Sequence, residues 1–215
     1  MIKKHKWKLL WSSLLILLPV AAGLALWDQL PEQIATHWGL NGQPDGWSSK
    51  ASAVFALPLV ILAVNWVGML AVSRDPGNQG QNRKIKGLTP WIGPVISIGC
   101  GIGTYAGALG TELPVVNLMF GIMGILFVFL GNYLPKCKPN RTIGIRVIWT
   151  LRSEENWIAT HRFSGRVWMA GGILVLAAAF LPEKWVLPVS MALVLVLVLV
   201  SIIYSWAFSR KEQEK

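Results

Sequence analysis

The residues best suited to chemistry lie in and just before the segment 135–166. They combine amides, guanidinium groups, indoles and one imidazole, at Asn132, Asn140, Arg146, Trp149, Trp157, His161 and Arg162. Arg146 and Arg162 are suited to holding a phosphate or carboxylate in a planar fork, and His161 to completing a polar network. A simpler interpretation, that the cations mark the cytoplasmic side and contact lipid headgroups, suffices for Arg152 and Arg166. It does not explain why a histidine and an arginine share a segment with two tryptophans, so we treat the group as a candidate polar site.

A second candidate site lies in the segment 28–50. Its candidate ligand-contacting residues are His37, Trp38, Asn41, Asp45 and Trp47. Histidine changes charge near physiological pH, so His37 is suited to binding a ligand or sensing pH, although it could equally hydrogen-bond to its own turn. Asp45 could attract a cationic peptide, but the Asp45-Gly46 step favours a plain turn. Trp38 and Trp47 could supply an apolar floor.

Arrangements typical of enzymes and metal sites are missing from the sequence. Three histidines, one of them (His5) in a basic tail and the other two on segments that we place on opposite sides, cannot form a zinc cluster. Neither paired carboxylates nor a nucleophile–base motif occurs. Cys100 and Cys137 are predicted to lie at different depths, without metal-ligand neighbours and without forming a disulfide. We therefore expect no enzyme, no cofactor and no metal.

The elements that position both sites are apolar segments of membrane-spanning length. The chain is 53% hydrophobic and 14% charged, whereas soluble domains carry about a quarter of charged residues. Six segments reach or approach the roughly 20 residues that cross a bilayer as a helix: 7–27, 51–72, 88–109, 115–134, 167–181 and 185–208. Because backbone groups must be paired in lipid and barrel-like alternation is missing, we predict an all-α polytopic membrane protein with six transmembrane helices.

The distribution of positive charge predicts the orientation. All of the 20 lysines and arginines except Lys50 and Lys184 fall at the termini or in the second and fourth connecting segments. By the positive-inside rule, both termini and the loop 135–166 are cytoplasmic, and the loop 28–50 is extracellular. The net charge of +10 therefore reflects topology, and we expect no direct nucleic-acid binding. The first segment begins like a signal peptide, but its spanning length favours a retained helix.

Two features inside the spans indicate helix packing. Asn65 lies in mid-membrane, where an amide is expected to face the bundle and bond to another helix. Gly99, Gly103 and Gly107 recur at intervals of four, which places them on one face and lets another helix approach closely.

The outer loop resembles a domain of unknown function that often precedes another module in small bacterial membrane proteins. The residues that carry this resemblance are Leu30-Pro31, Thr36-His37-Trp38, Asn41-Gly42, Asp45-Gly46 and Lys50. We assign the N-terminal module, with two helices and this loop, to residues 1–87.

The inner loop is similar to the signature of the SdpI-like family, immunity proteins against a sporulation-delaying toxin. The matching residues are Gly131-Asn132, Pro135-Lys136, Asn140, Gly144-Ile145-Arg146, Trp149-Thr150-Leu151, Trp157, Thr160-His161-Arg162 and Gly165. One departure follows Arg146, where the family signature has a threonine and then a proline or a polar residue, whereas this chain has Val147-Ile148. We assign this four-helix module to residues 88–215.

The resemblance implies a multi-pass protein of the bacterial cell membrane that protects the cell from a membrane-active peptide toxin. The implied partners are the toxin, the membrane lipid and a cytoplasmic transcriptional repressor. Two alternatives stay open: a small transporter or export helper, which would need ionisable groups in mid-membrane, and a membrane enzyme that uses the inner arginine, histidine and asparagine residues.

Overall fold

The computed structural model describes residues 2–111 and 113–214, with side chains from Lys6 onward. Its helices are α1 (Ile2–Ile16), α2 (Leu18–Ala25), α3 (Lys50–Arg74), α4 (Arg83–Ala108), α5 (Val115–Tyr133), α6 (Ile148–Arg152), α7 (Glu154–Ala178) and α8 (Glu183–Gln213). Two strands, β1 (Gln33–Trp38) and β2 (Pro44–Ser49), separate α2 from α3. Glu112, Lys215 and the side chains of Lys3, Lys4 and His5, all used in the charge analysis, lie outside the described residues.

Five helical segments among the described residues are long and apolar enough to cross a membrane. They are Lys6–Ala25, Lys50–Arg74, Arg83–Ala108, Val115–Lys136 and Glu183–Gln213. The helical membrane class is thus confirmed. Helix α7 has 25 residues, but its first half is polar and its apolar half begins only after Arg166, so it does not meet the same criterion. The sixth span and the cytoplasmic location of both termini stay predictions.

The segment between α2 and α3 adds a short β-hairpin to this predominantly helical fold. Strands β1 and β2 pair antiparallel, with an irregular register between Ala35 and Trp38. The turn lies at Asn41-Gly42: the Asn41 side chain accepts the Gln43 N–H at 3.1 Å, and Gly42 has a φ of +82°. The predicted turn at Asp45-Gly46 is wrong, because both residues lie within β2.

Lys50 anchors the base of this hairpin at the first residue of α3. Its side chain is only 9% exposed. Its ammonium group lies 3.0 Å from the Glu32 carboxylate and donates to the Trp27 carbonyl at 3.2 Å. Because a buried ammonium needs such partners, this contact fixes the hairpin against the ends of α2 and α3.

The α5–α7 pair packs through glycines with the two backbones nearly touching. A Cβ on Gly124 would lie 2.8 Å from the Gly172 carbonyl, and a Cβ on Gly131 would lie 2.8 Å from the Gly165 carbonyl. Each helix therefore presents two glycines seven residues apart to the other. Such close approach is how helices associate where lipid removes the hydrophobic driving force.

The packing predictions for the spans are confirmed. A Cβ on Gly99 or Gly103 would press on Ile122 or Val115, at 2.5 and 2.8 Å, so this face of α4 contacts α5. Asn65 is buried and donates to the Ser12 hydroxyl of α1 at 3.3 Å.

Candidate functional site

Asn140 organises the loop between α5 and α7 at the basic end of the bundle. Its amide nitrogen donates to the carbonyls of Lys138 and Ile143, both at 2.8 Å. Its amide oxygen accepts the N–H groups of Thr142 at 2.8 Å and Ile143 at 2.6 Å. The side chain is 6% exposed and replaces the backbone pairing that this irregular segment lacks.

Beneath this turn, Trp157 and His161, four residues apart, stack on one face of α7. Their ring centroids lie 4.1 Å apart with an interplanar angle of 18°, and each residue is 1% exposed. The Trp157 indole donates to the Cys137 carbonyl at 2.8 Å. The His161 Nε2 accepts the Ile145 N–H at 3.0 Å, so the other nitrogen, Nδ1, donates to the Trp157 carbonyl at 2.8 Å.

His161 is therefore held as a neutral imidazole. Burial lowers the pKa of His161 to about 4, against the smaller opposing effect of the hydrogen bond to the Trp157 carbonyl. Gly144 lies directly over the ring with a φ of +111°, and a Cβ there would collide with the His161 Nε2. With both nitrogens engaged and the ring covered, His161 supports the loop and is not placed to transfer protons.

A second connecting segment, residues 75–82, holds this loop from the side. Asp75 is 9% exposed, and its carboxylate accepts the Arg141 N–H at 2.7 Å, the Thr142 hydroxyl at 3.0 Å and the Gly77 N–H at 2.9 Å. Burial raises the pKa of Asp75, but these hydrogen bonds outweigh it and hold the pKa below its ordinary value. The Asp75 carboxylate is thus charged, and it is occupied by these three hydrogen bonds.

Two amides complete this contact, which we call the clamp (Asp75, Asn78 and Gln81). Asn78 is fully buried and donates to the Thr142 hydroxyl at 2.6 Å. Gln81 accepts the Lys138 N–H at 3.0 Å and donates to the Lys138 carbonyl at 3.1 Å. The clamp joins the connection after α3 to the connection after α5.

Removing the clamp's carboxylate is expected to release the loop. In Asp75→Ala, the Arg141 and Gly77 N–H groups and the Thr142 hydroxyl lose their acceptor, which costs about 2 kcal/mol or more of stability. Limited proteolysis of the purified protein should then cut within residues 137–147 several times faster than in wild type. Glu154→Ala, which changes an exposed carboxylate at the start of α7, is the control, and equal cutting in both variants would contradict the clamp.

Only some of the predicted inner residues come together. Asn140, Trp157 and His161 share the buried cluster, whereas Asn132 is exposed and accepts from the Lys136 ammonium at 3.1 Å. Arg146 and Arg162 are both exposed and lie outside this buried cluster, and their binding of an anion stays a prediction. Trp149 is half-buried, and its indole N–H has no hydrogen-bond partner among the described residues.

Sequence analysis missed the partners that make the cluster rigid. Asp75, Asn78 and Gln81 were not singled out, because no local pattern shows a contact some 60 residues along the chain. Asn156 was also missed: it donates to the Ser205 carbonyl of α8 at 2.9 Å and is fully buried. Its position one residue before Trp157 in a polar helix turn was the only available signal.

The predicted outer site is confined to the hairpin. The His37 ring nitrogen Nδ1 lies 2.5 Å from the Asp45 carboxylate, with both side chains more than half exposed. Gly46 makes this pairing possible, because a Cβ there would lie 2.9 Å from the His37 Cβ. Asp45 thus pairs across the strands instead of forming a turn.

The two hairpin tryptophans have different surroundings, so they do not form one floor. Trp38 packs against an apolar cluster at the hairpin ends of α5, α7 and α8, formed by Val116, Phe120, Val175, Ala179 and Val186. Trp47 is 58% exposed, and Leu40 at the tip, which sequence analysis did not select, is 71% exposed. The hairpin therefore combines one packed anchor with two free apolar side chains.

Fold and site together define a polytopic helical membrane protein with a hairpin at one end and interlocked basic loops at the other. A family model described as the SdpI/YfhL protein family matches residues 136–205, and one described as "Domain of unknown function (DUF1648)" matches residues 14–62. The predicted resemblance to the SdpI-like family, behind a domain of unknown function, is confirmed. Immunity protein SdpI of Bacillus subtilis (strain 168) is 24% identical over 201 residues, which cover 93% of this chain and 95% of that protein. No solved structure matches the chain.

Proposed function

We propose that this chain is an immunity protein of the bacterial cell membrane that confers resistance to a membrane-active peptide toxin. Similarity to Immunity protein SdpI along nearly the whole of both chains carries the proposal. The match at residues 14–62 contains the hairpin, and the match at residues 136–205 contains the Trp157–His161 stack. The proposal places six spans in the membrane, with both termini in the cytoplasm and the hairpin outside.

The hairpin is the proposed surface for the toxin. Exposed apolar side chains next to charged groups are typical of surfaces that bind amphipathic peptides. Leu40 and Trp47 supply the apolar part, and the exposed His37–Asp45 pair supplies the polar part. Asp45 favours a cationic peptide.

Helix α7 is the proposed link to the cytoplasm. Its outer end touches the cluster that holds Trp38, and its inner half carries Trp157 and His161. A rigid helix that contacts both regions can transmit a displacement of the hairpin to the loop. The exposed Arg146, Arg152 and Arg162 then offer a basic surface for a cytoplasmic repressor.

The test of this function is protection of a sensitive bacterium. Cells that produce the full chain, and cells with an empty vector, are exposed to a sporulation-delaying-type peptide while membrane potential and survival are recorded. Protection by the correctly inserted protein supports the proposal. Depolarisation and killing equal to the empty vector would remove immunity to that toxin.

Loss of the exposed hairpin groups is expected to reduce protection at normal protein levels. Trp47→Ala removes the larger free apolar surface, and His37→Ala breaks the pair with Asp45. Each variant is therefore expected to lower the toxin concentration that the cells survive about tenfold. Ser48→Ala is the control, since it removes only an exposed hydroxyl pair with Thr36. Full protection by the Trp47 and His37 variants, with membrane levels matched by blotting, would contradict toxin binding at the hairpin.

A further inference from the structure

A cavity of about 530 Å³ lies at the basic end, between α3, α4, α5 and the loop that Asn140 organises. This volume is typical of small-molecule sites. Its walls come largely from α3, α4 and α5, which are long and apolar enough to cross a membrane. The lining residues that matter below are Gly68, Thr89, Cys137, Thr142, Arg146 and Trp168.

Three of the polar side chains that line the cavity already have hydrogen-bond partners. The Thr89 hydroxyl donates to the Ile85 carbonyl at 3.1 Å, and the Trp168 indole donates to the Ser201 hydroxyl at 3.1 Å. Thr142 is held by the clamp. Burial raises the pKa of the Cys137 thiol to about 11, so the thiol is neutral at physiological pH. The inner wall of the cavity therefore favours an apolar occupant.

Arg146 is the exception at the rim. It lines the cavity and is exposed, and among the described residues its guanidinium makes one hydrogen bond, from Nη1 to the Arg141 carbonyl at 2.6 Å. A guanidinium carries five N–H donors, so most stay free. The described lining residues include no aspartate or glutamate that could neutralise it. An anion above an apolar chain complements this arrangement.

We infer that the cavity binds an acyl chain of an anionic phospholipid, with the lipid phosphate held by Arg146. Bidentate hydrogen bonds to phosphate are the preferred use of a free guanidinium. The cavity lies at the basic end, where positive loops meet the membrane surface. This lipid site is independent of the proposed immunity function.

Gly68 allows the site to be blocked without disturbing the fold. A Cβ added at Gly68 meets no atom within 4 Å, so the phenyl ring of Gly68→Phe can occupy the cavity. Val67→Phe adds the same ring one residue away, on a side chain that is 67% exposed, and is the matched control. Arg146→Gln removes the charge, and Arg152→Gln removes a neighbouring exposed charge as its control.

Delipidated full-length protein in a neutral detergent is titrated with dioleoylphosphatidylglycerol or dioleoylphosphatidylcholine, and bound lipid is counted by native mass spectrometry. We expect one phosphatidylglycerol to bind about tenfold more tightly than phosphatidylcholine. Gly68→Phe should weaken binding of both lipids about tenfold, while Arg146→Gln should weaken phosphatidylglycerol more than phosphatidylcholine and so remove the preference between them. Both control variants should behave as wild type.

Three results would overturn the inference. Equal affinity for both lipids in wild type would exclude selection of an anionic lipid, and unchanged binding in Gly68→Phe would place the lipid elsewhere. Binding of free oleate but not of phosphatidylglycerol would make the occupant a fatty acid. Because the readout is lipid binding, failure here leaves the protection experiment unaffected.

Discussion

Gly172→Leu is expected to abolish the stable folded protein. A Cβ at this position would lie 2.7 Å from the Val128 nitrogen and 2.8 Å from the Gly124 carbonyl, and backbone atoms cannot move aside as a flexible side chain can. The helices α5 and α7 must then separate, which costs about 3 kcal/mol or more. The measurement is the midpoint of thermal unfolding in detergent, together with the monodisperse fraction by size-exclusion chromatography.

Two further variants make this test quantitative. Gly172→Ala adds only the Cβ and should show an intermediate loss, whereas Gly68→Ala, which meets open space, should unfold at or above the wild-type temperature. An unchanged midpoint in Gly172→Leu would mean that α5 and α7 are not in backbone contact.

The second large effect is a loss of stability on mild acidification. His161 has a pKa of about 4 in the folded protein and an ordinary pKa of 6.5, so between these values the unfolded chain binds a proton that the folded protein does not. Stability is therefore unaffected above pH 6.5, falls as the pH decreases from 6.5 towards 4, and then levels off. The total loss is about 3 kcal/mol.

His161→Gln isolates this effect. Glutamine does not titrate, so the variant is expected to be less stable at pH 7.5 but to lose little more between pH 6.5 and 5. The Asp75 contribution does not interfere, because its pKa is held below 3.8 and its stabilisation is lost only as the pH falls below that value. If the free energy of unfolding fell equally with pH in wild type and variant across this range, His161 would not be a buried neutral histidine.

Sequence patterns identified the features that depend on local spacing and on the lipid environment. Asn65 was correctly expected to bond across helices, and Gly99 and Gly103 to form a contact face, because a helix of known period fixes which residues share a side. The stack of Trp157 on His161 follows from the same period. Local spacing did not predict the hairpin, because its strands are short and irregular and contain Asp45-Gly46, a pair more typical of turns.

The contacts between distant segments could not be predicted from one sequence. Asp75 and Arg141 meet only because α3, α4 and α5 bring their connections to the same end of the bundle. The glycines of α5 and α7 lie seven residues apart on each helix, and nothing in the local sequence shows which neighbouring helix they face. Arg146 and Arg162 were grouped by charge with the buried residues, but both side chains are exposed.

The packing of Trp38 limits how the two halves of the chain can be combined with halves of related proteins. It comes from the N-terminal half of the chain, yet it packs on Val116, Val175 and Val186 from the C-terminal half. At the opposite end, the clamp again joins the two halves through Asp75 and Arg141. A chimera that takes each half from a different relative therefore has mismatched contacts at both ends of the bundle. A transplanted hairpin also needs the helix ends against which its tryptophan packs.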